Sequence, residues 1–168
     1  ELAEKEIVQG DANVGFIGAG SFAQGFLLPN MKGQCNFIGV ATNRGNTSRY
    51  AADKYGFAYC AEKADDIIAD SKINTVFVAT RHNLHAEFVK KAVESGKHVF
   101  VEKPLAMTET ELEEVREVYT KEDTSASKHL MVGFNRRFAP AVKEIKKLFL
   151  PEQKKSIVIR VNSGVIPP

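Results

Sequence analysis

The chain has 168 residues, 43% hydrophobic and 26% charged, with 23 Lys+Arg against 21 Asp+Glu and a formal net charge of +2. That balance suits a globular domain with a sizeable core and excludes a disordered, collagenous or disulfide-scaffold chain. A charge so near zero supplies no field for gripping nucleic acid or an anionic membrane, and no apolar run approaches the roughly 20 residues that span a bilayer.

Residues 1–11 are charged, lack Met and hold no signal-type apolar stretch. They read as a leader or linker, and the chain as a piece cut from something longer. The first predicted strand is Asn13–Ile17, followed by a helix over Ser21–Lys32. A second strand, Phe37–Thr42, precedes a helix at Thr47–Tyr55, and Gly56 stands where a helix wants a left-handed closing residue. A helix is expected over Lys63–Ala69, a strand over Thr75–Thr80, and a helix over Leu84–Ser95 closed by Gly96. His98–Glu102 is a strand. Thr108 and Glu111 make a Thr-x-x-Glu capping box ahead of Leu112, Val115 and Val118 in a helix over Thr108–Tyr119. Lys121–Lys128 is a polar loop, and Leu130–Phe134 the next strand. In a helix over Pro140–Leu150, Val142, Ile145, Leu148 and Phe149 share one face, leaving Lys143, Lys146 and Lys147 outside. Ser156–Val161 is the last predicted strand.

Several of these strands are continuously apolar, as strands covered on both faces are. Strand–helix alternation through six strands predicts an α/β fold with a doubly wound, mostly parallel sheet. Ligands of such sheets bind beyond the carboxyl ends of the strands. Cys35 and Cys60 form no Cys-x-x-Cys pair; they read as buried or half-buried thiols in a reducing cytoplasm rather than as metal ligands.

Gly18-Ala19-Gly20-Ser21-Phe22-Ala23 places Gly-x-Gly-x-x-Ala at the junction of the first strand and first helix. Gly18 allows the tight turn, Gly20 lets a pyrophosphate approach the backbone, and Ala23 lets the helix pack closely on the strand. The phosphates then meet free amides and the positive end of the helix dipole. This strand–turn–helix setting predicts a Rossmann domain that binds a dinucleotide. An acid near the end of the second strand normally takes the ribose hydroxyls of NAD, whereas an Arg there suits the 2′-phosphate of NADP. From Ala12 through Ala52 the chain has no Asp or Glu, and the second strand runs into Asn43 and Arg44, then Asn46, Thr47 and Ser48. A carboxylate repels a 2′-phosphate, and a guanidinium with hydroxyl neighbours holds one, so NADP is favoured over NAD.

Three further segments fall at carboxyl ends of predicted strands. Thr80, Arg81 and His82 lead to His85 at the start of a helix. No Cys or carboxylate nearby completes a metal site with His82 and His85, so no metal is expected. His85 is expected either to hydrogen-bond backbone at the helix start or to line the cofactor cleft. Lys103 ends the strand that begins at His98, so its ammonium is expected beside the nicotinamide. There it hydrogen-bonds a substrate hydroxyl and stabilises the alkoxide character that develops as hydride leaves the carbon. Glu102 orients the lysine or takes a cofactor hydroxyl; the competing reading is a structural Lys–Glu pair. His98 and His129 open strands at the opposite edge and read as structural.

The glycine loop, the Thr80–His85 segment, Gly-Lys-His-Val-Phe-Val-Glu-Lys-Pro-Leu at 96–105 and Gly-Phe-Asn-Arg-Arg-Phe-Ala-Pro at 133–140 occur in order. Together they resemble the glucose–fructose oxidoreductase / inositol dehydrogenase / MocA family over about residues 12 to 165. The resemblance implies an NAD(P)-dependent dehydrogenase acting on sugars, cyclitols or related polyols. It implies that Gly18, Gly20, Ser21 and Phe22 hold the pyrophosphate, and that Thr80, His82 and His85 lie along the nicotinamide side. Glu102 and Lys103 would contact cofactor and substrate, with Asn135 and Arg136 bordering the same cleft. Many members carry Thr-Pro-Asn where this chain has Thr80-Arg81-His82, and an acid where it has Thr42 or Asn43. The Arg-His variant is similar to a subgroup fused behind a zinc-type alcohol dehydrogenase domain.

Family members carry a second α/β domain that covers the nicotinamide and supplies the acid/base. By that resemblance residues 12–150 are the dinucleotide-binding domain and 151–168 the first strand of a truncated second one. The chain alone is then expected to bind cofactor with little turnover, and the full-length protein to be a homo-oligomer. The alternative is a nicotinamide-binding module for regulation or assembly that has lost catalysis.

Overall fold

The structure, a computed structural model, describes residues 12–121, 128–149, 152–154, 156 and 158. The chain divides after Phe134 into two units. In the first, six strands form one parallel sheet: β1 (Asn13–Ile17), β2 (Asn36–Ala41), β3 (Tyr59–Ala61), β4 (Thr75–Val78), β5 (His98–Val101) and β6 (Leu130–Val132). Their order is β3-β2-β1-β4-β5-β6. The direction of winding reverses between β1 and β4, the switch point beyond which ligands of such sheets bind.

Each face of the sheet has its own core. On one, Val14 and Phe16 of β1 meet Ala23, Leu28 and the helix α2 (Gly45–Tyr55) through Ala51, Ala52 and Tyr55. On the other, Ile17 and the valines of β4 and β5 meet α3 (Ala64–Ala69), α4 (His85–Glu94) and α5 (Glu109–Lys121) through Ile67, Val89 and Val115. The pleat sends alternate residues to opposite layers, so β1 is buried at every position. Phe16 is fully buried, its ring stacked on Phe77 at 5.0 Å and edge-on to Phe57 at 6.0 Å. Gly56 and Gly96 close α2 and α4 with φ of 79° and 67°, as the sequence predicts.

Three expectations need correction. β3 has no predicted counterpart: Tyr59-Cys60-Ala61 holds no branched aliphatic residue, whereas β6, an edge strand of the same length, reads Leu-Met-Val. Its middle residue, Cys60, is exposed rather than buried or half-buried, because at that edge alternate side chains face away from the core. The first helix is also not regular. Residues 21 and 22 are helical, Ala23–Leu27 is a π-helical turn, and the run continues as the short α1 (Leu28–Met31). Pro29 has no N–H to offer the carbonyl of Gly25 four residues earlier, so the regular ladder breaks there. The expected leader 1–11 lies outside the described residues, as do most of the loop Lys121–Lys128 and most of Ser156–Val161.

The second unit begins with a 3-10 turn, Asn135–Phe138, and continues as α6 (Pro140–Lys147). No residue of α6 is buried, and Ile145 and Leu148 of its expected apolar face are exposed. Among the described residues no helix is long and apolar enough to cross a membrane.

Candidate functional site

The register of the sheet lines up its carboxyl ends. Ile17 pairs with Ala41 on one side and Val78 on the other, Val78 with Val101, and Val101 with Val132. Backbone bonds carry the row one residue further. Gly18 N–H donates to Ala41 O at 2.8 Å, Ala79 to Ile17 at 2.8 Å, Glu102 to Val78 at 2.9 Å and Gly133 to Val101 at 2.8 Å. The expected site residues Gly18, Thr80, Glu102 and Lys103 therefore share one rim. The first predicted strand ends where β1 does, while those for β2, β4, β5 and β6 overran the observed ends by one or two residues at this same rim, where the chain turns out of the sheet.

Gly18 has φ 89°, and a Cβ there would lie 2.5 Å from the Ala79 carbonyl oxygen. It is glycine for both the turn and the close approach. Gly20 is exposed, with nothing within 4 Å of where its Cβ would stand. Ser21 and Phe22 are exposed beside it, while Ala23 is buried against the sheet as the motif requires. Two braces here have no signature in the sequence. The Gln24 side chain donates to Ala19 O at 2.8 Å, and the Tyr55 hydroxyl donates to Gln24 O at 2.6 Å. Together they hold the loop and the helix start.

Beyond β2, Asn43 and Arg44 are exposed, and Arg44 precedes α2 in extended conformation. The Thr42 hydroxyl donates to Arg44 O at 2.7 Å. Ser48, expected as a hydroxyl neighbour for a phosphate, is instead buried, its oxygen accepting from Thr42 N–H at 2.9 Å. It shapes the loop that carries Arg44 from beneath.

Beyond β4, Thr80 is half-buried, and His82 is exposed in a 3-10 turn, His82–Leu84. His85 is fully buried, with Nδ1 2.7 Å from Pro104 O and Nε2 3.2 Å from Thr80 O. Of its two expected roles the structure shows the backbone one; the imidazole does not line a cleft. Both nitrogens face carbonyls, so His85 and His82 do not make a metal pair although their rings lie 5.7 Å apart. Among the described residues no three His, Cys, Asp or Glu side chains come together as a metal site.

Beyond β5, Lys103 is exposed and Glu102 half-buried, with the Glu102 carboxylate accepting from Lys103 N–H at 3.3 Å. That carboxylate occupies the space a side chain on Gly133 would need: a Cβ there would lie 2.9 Å from Oε1. Gly133, unremarked in the sequence as a site residue, is thus the floor beneath Glu102. Asn135 and Arg136 belong to the second unit, exposed in its opening turn. At the opposite edge His98 and His129 stack at 5.3 Å, and His98 Nδ1 accepts from His129 N–H at 3.1 Å.

Residues 12–134 match the model of an oxidoreductase family with an NAD-binding Rossmann fold. The chain belongs to the glucose–fructose oxidoreductase / inositol dehydrogenase / MocA family. An uncharacterized oxidoreductase of Bacillus subtilis is 30% identical over 144 residues, covering 86% of this chain and 40% of that protein. A levoglucosan dehydrogenase of Pseudarthrobacter phenanthrenivorans is 41% identical over 99 residues, 58% of this chain and 24% of that enzyme. Among solved structures, a 3-ketoreductase from Actinomadura kijaniata in complex with NADP and TDP-benzene has a TM-score of 0.74 over 83% of this chain and 42% of that one. At 23% identity that likeness is one of fold. The chain spans less than half the length of each of these three proteins. Within the family, then, it corresponds to the NAD-binding domain.

Proposed function

We propose that this chain is the cofactor-binding part of a longer NAD(P)-dependent dehydrogenase that acts on a sugar, cyclitol or related polyol. The observation that carries the reading is the shared rim: an open glycine loop and an exposed lysine stand on strand ends held in one register. The loop fits a dinucleotide. Gly20 leaves backbone-level access for a pyrophosphate, and the buried Ala23 brings the helix start, with its free amides at Ser21 and Phe22, close beside it. When bound, the nicotinamide supplies the hydride acceptor or donor. Thr80 and His82 border its side of the cleft. Lys103 donates a hydrogen bond to the substrate oxygen and stabilises the negative charge that grows there, with Glu102 fixing the lysine backbone.

The adenosine end is read as that of NADP. Arg44 is exposed on a loop with no carboxylate from Ala12 through Ala52 to oppose a 2′-phosphate. A charge-assisted hydrogen bond is worth about 1.5–3 kcal/mol, roughly ten- to a hundredfold in affinity. Calorimetric titration with NADPH and NADH tests both levels. Tighter NADPH binding that Arg44→Ala abolishes supports the reading. A preference for NADH overturns the role of Arg44, and binding of neither overturns the dinucleotide site.

A further inference from the structure

We propose that His85 is the positioning residue for Lys103, holding the Lys103–Pro104 segment through its ring Nδ1–H. The inference rests on the role given to Lys103 above. His85 opens α4 yet is 0% exposed, so nothing bound at the rim touches its ring. A buried imidazole needs partners, and the two it has are backbone carbonyls, Pro104 O at 2.7 Å and Thr80 O at 3.2 Å. Carbonyls only accept, and a neutral imidazole has one N–H. The shorter contact takes it, so Nδ1–H donates to Pro104.

That bond falls on the residue next to the lysine. A proline offers only its carbonyl to the backbone, and the residue before it is Lys103. On the other side the Lys103 N–H is held by the Glu102 carboxylate, which itself rests on Gly133. Lys103 is thus fixed from both neighbours, and its long side chain swings from a point set by His85 and Glu102. Through Thr80 O the same ring abuts the Thr80–Arg81 peptide, next in the chain to the Ala79–Thr80 peptide against which Gly18 packs. His85 is therefore the buried joint between the glycine-loop side of the rim and the lysine side.

The test compares two ligands of this chain, ADP-ribose, which lacks the nicotinamide, and NADPH. The variants are His85→Asn, His85→Gln, Lys103→Ala and the double variant His85→Gln/Lys103→Ala. An asparagine amide nitrogen stands near the position of Nδ1, a glutamine amide nitrogen near that of Nε2. ADP-ribose affinity is expected to stay within twofold throughout. With the Lys103 ammonium beside the nicotinamide, NADPH binding weakens about five- to tenfold in His85→Gln, the worth of one hydrogen bond, and less than twofold in His85→Asn. Adding His85→Gln to Lys103→Ala brings no further loss, because the histidine acts through the lysine. Additive losses overturn the proposal, as do equal losses in the two histidine variants or a silent Lys103→Ala beside a damaging His85→Gln. If the histidine variants do not fold, nitrogen NMR of labelled histidine in the unaltered chain decides, since a proton on Nε2 with Nδ1 bare overturns it. An unaltered chain that fails to bind ADP-ribose refutes the dinucleotide reading instead.

Discussion

The two glycines of the loop predict opposite outcomes for the same substitution. Gly18→Ala places a Cβ 2.5 Å from Ala79 O and 2.9 Å from Thr80 N, both backbone atoms that cannot swing aside, on a residue with φ 89°. The left-handed backbone costs about 1–2 kcal/mol and the overpacking about 1–3 kcal/mol. Their sum, about 2–5 kcal/mol, lowers the melting temperature by about 8–20 °C at roughly 4 °C per kcal/mol. Gly20→Ala meets nothing within 4 Å and carries no left-handed φ. It restricts the unfolded chain and raises stability by about 0.4–1 kcal/mol. Its methyl group, however, stands where the pyrophosphate must approach, and ADP-ribose affinity falls by about tenfold or more. Thermal melts and calorimetric titrations of the two variants read both effects. Unaltered ADP-ribose binding by a folded Gly20→Ala chain refutes the assignment of the loop. A Gly18→Ala chain as stable as the parent refutes the packing argument.

Three other outcomes are expected. Phe16→Ala removes a fully buried ring that contacts Phe37, Phe57 and Phe77 and costs about 3–5 kcal/mol by denaturant titration. Gly133→Ala carries no backbone strain, so its melting temperature stays within about 3 °C of the parent. The displaced Glu102 carboxylate appears as a change in NADPH affinity without one for ADP-ribose, and equal changes for both ligands contradict the contact. Burial, and then Lys128 and His129, hold the His98 imidazole below its ordinary value of 6.5. The unfolded chain takes that proton more readily, so the contribution is full above about pH 6.5 and is lost as pH falls through the lowered value. His98→Gln flattens the stability profile in that window; an unchanged profile removes His98 from the account.

The parts of the fold legible in the sequence were those with long patterns. Continuous apolar runs marked β1, β2, β4 and β5, and the glycines at 56 and 96 marked helix ends, because burial on two faces and left-handed closure leave unmistakable residue choices. β3 was illegible because Tyr-Cys-Ala lacks the branched aliphatic residues that mark β6, an edge strand of equal length. The rim residues stand in strand–turn–helix contexts that a sequence shows, whereas the groups they touch leave no such mark. Ser48 looks like a free hydroxyl in the sequence, and only the fold shows it turned inward to Thr42. His85 sits three residues from His82, a spacing that suggests a pair, whereas its partners are carbonyls five and nineteen residues away. Backbone acceptors have no letter in a sequence. Gly133 likewise supports Glu102 across a gap of 31 positions that no local pattern spans.

The level strand ends also fix the order of charge along the rim. In β5 the buried residues are Val99 and Val101, while His98 and Phe100 are half-buried, and the negative Glu102 then precedes the positive Lys103. If β5 slipped by one residue against β4, Glu102 and Lys103 would each change level, and both valines would turn to the opposite face. The apolar layer beneath thus guards a polarity it never touches. Lengthening the loop after Pro104 leaves that polarity intact, whereas one residue inserted before Val101 displaces it.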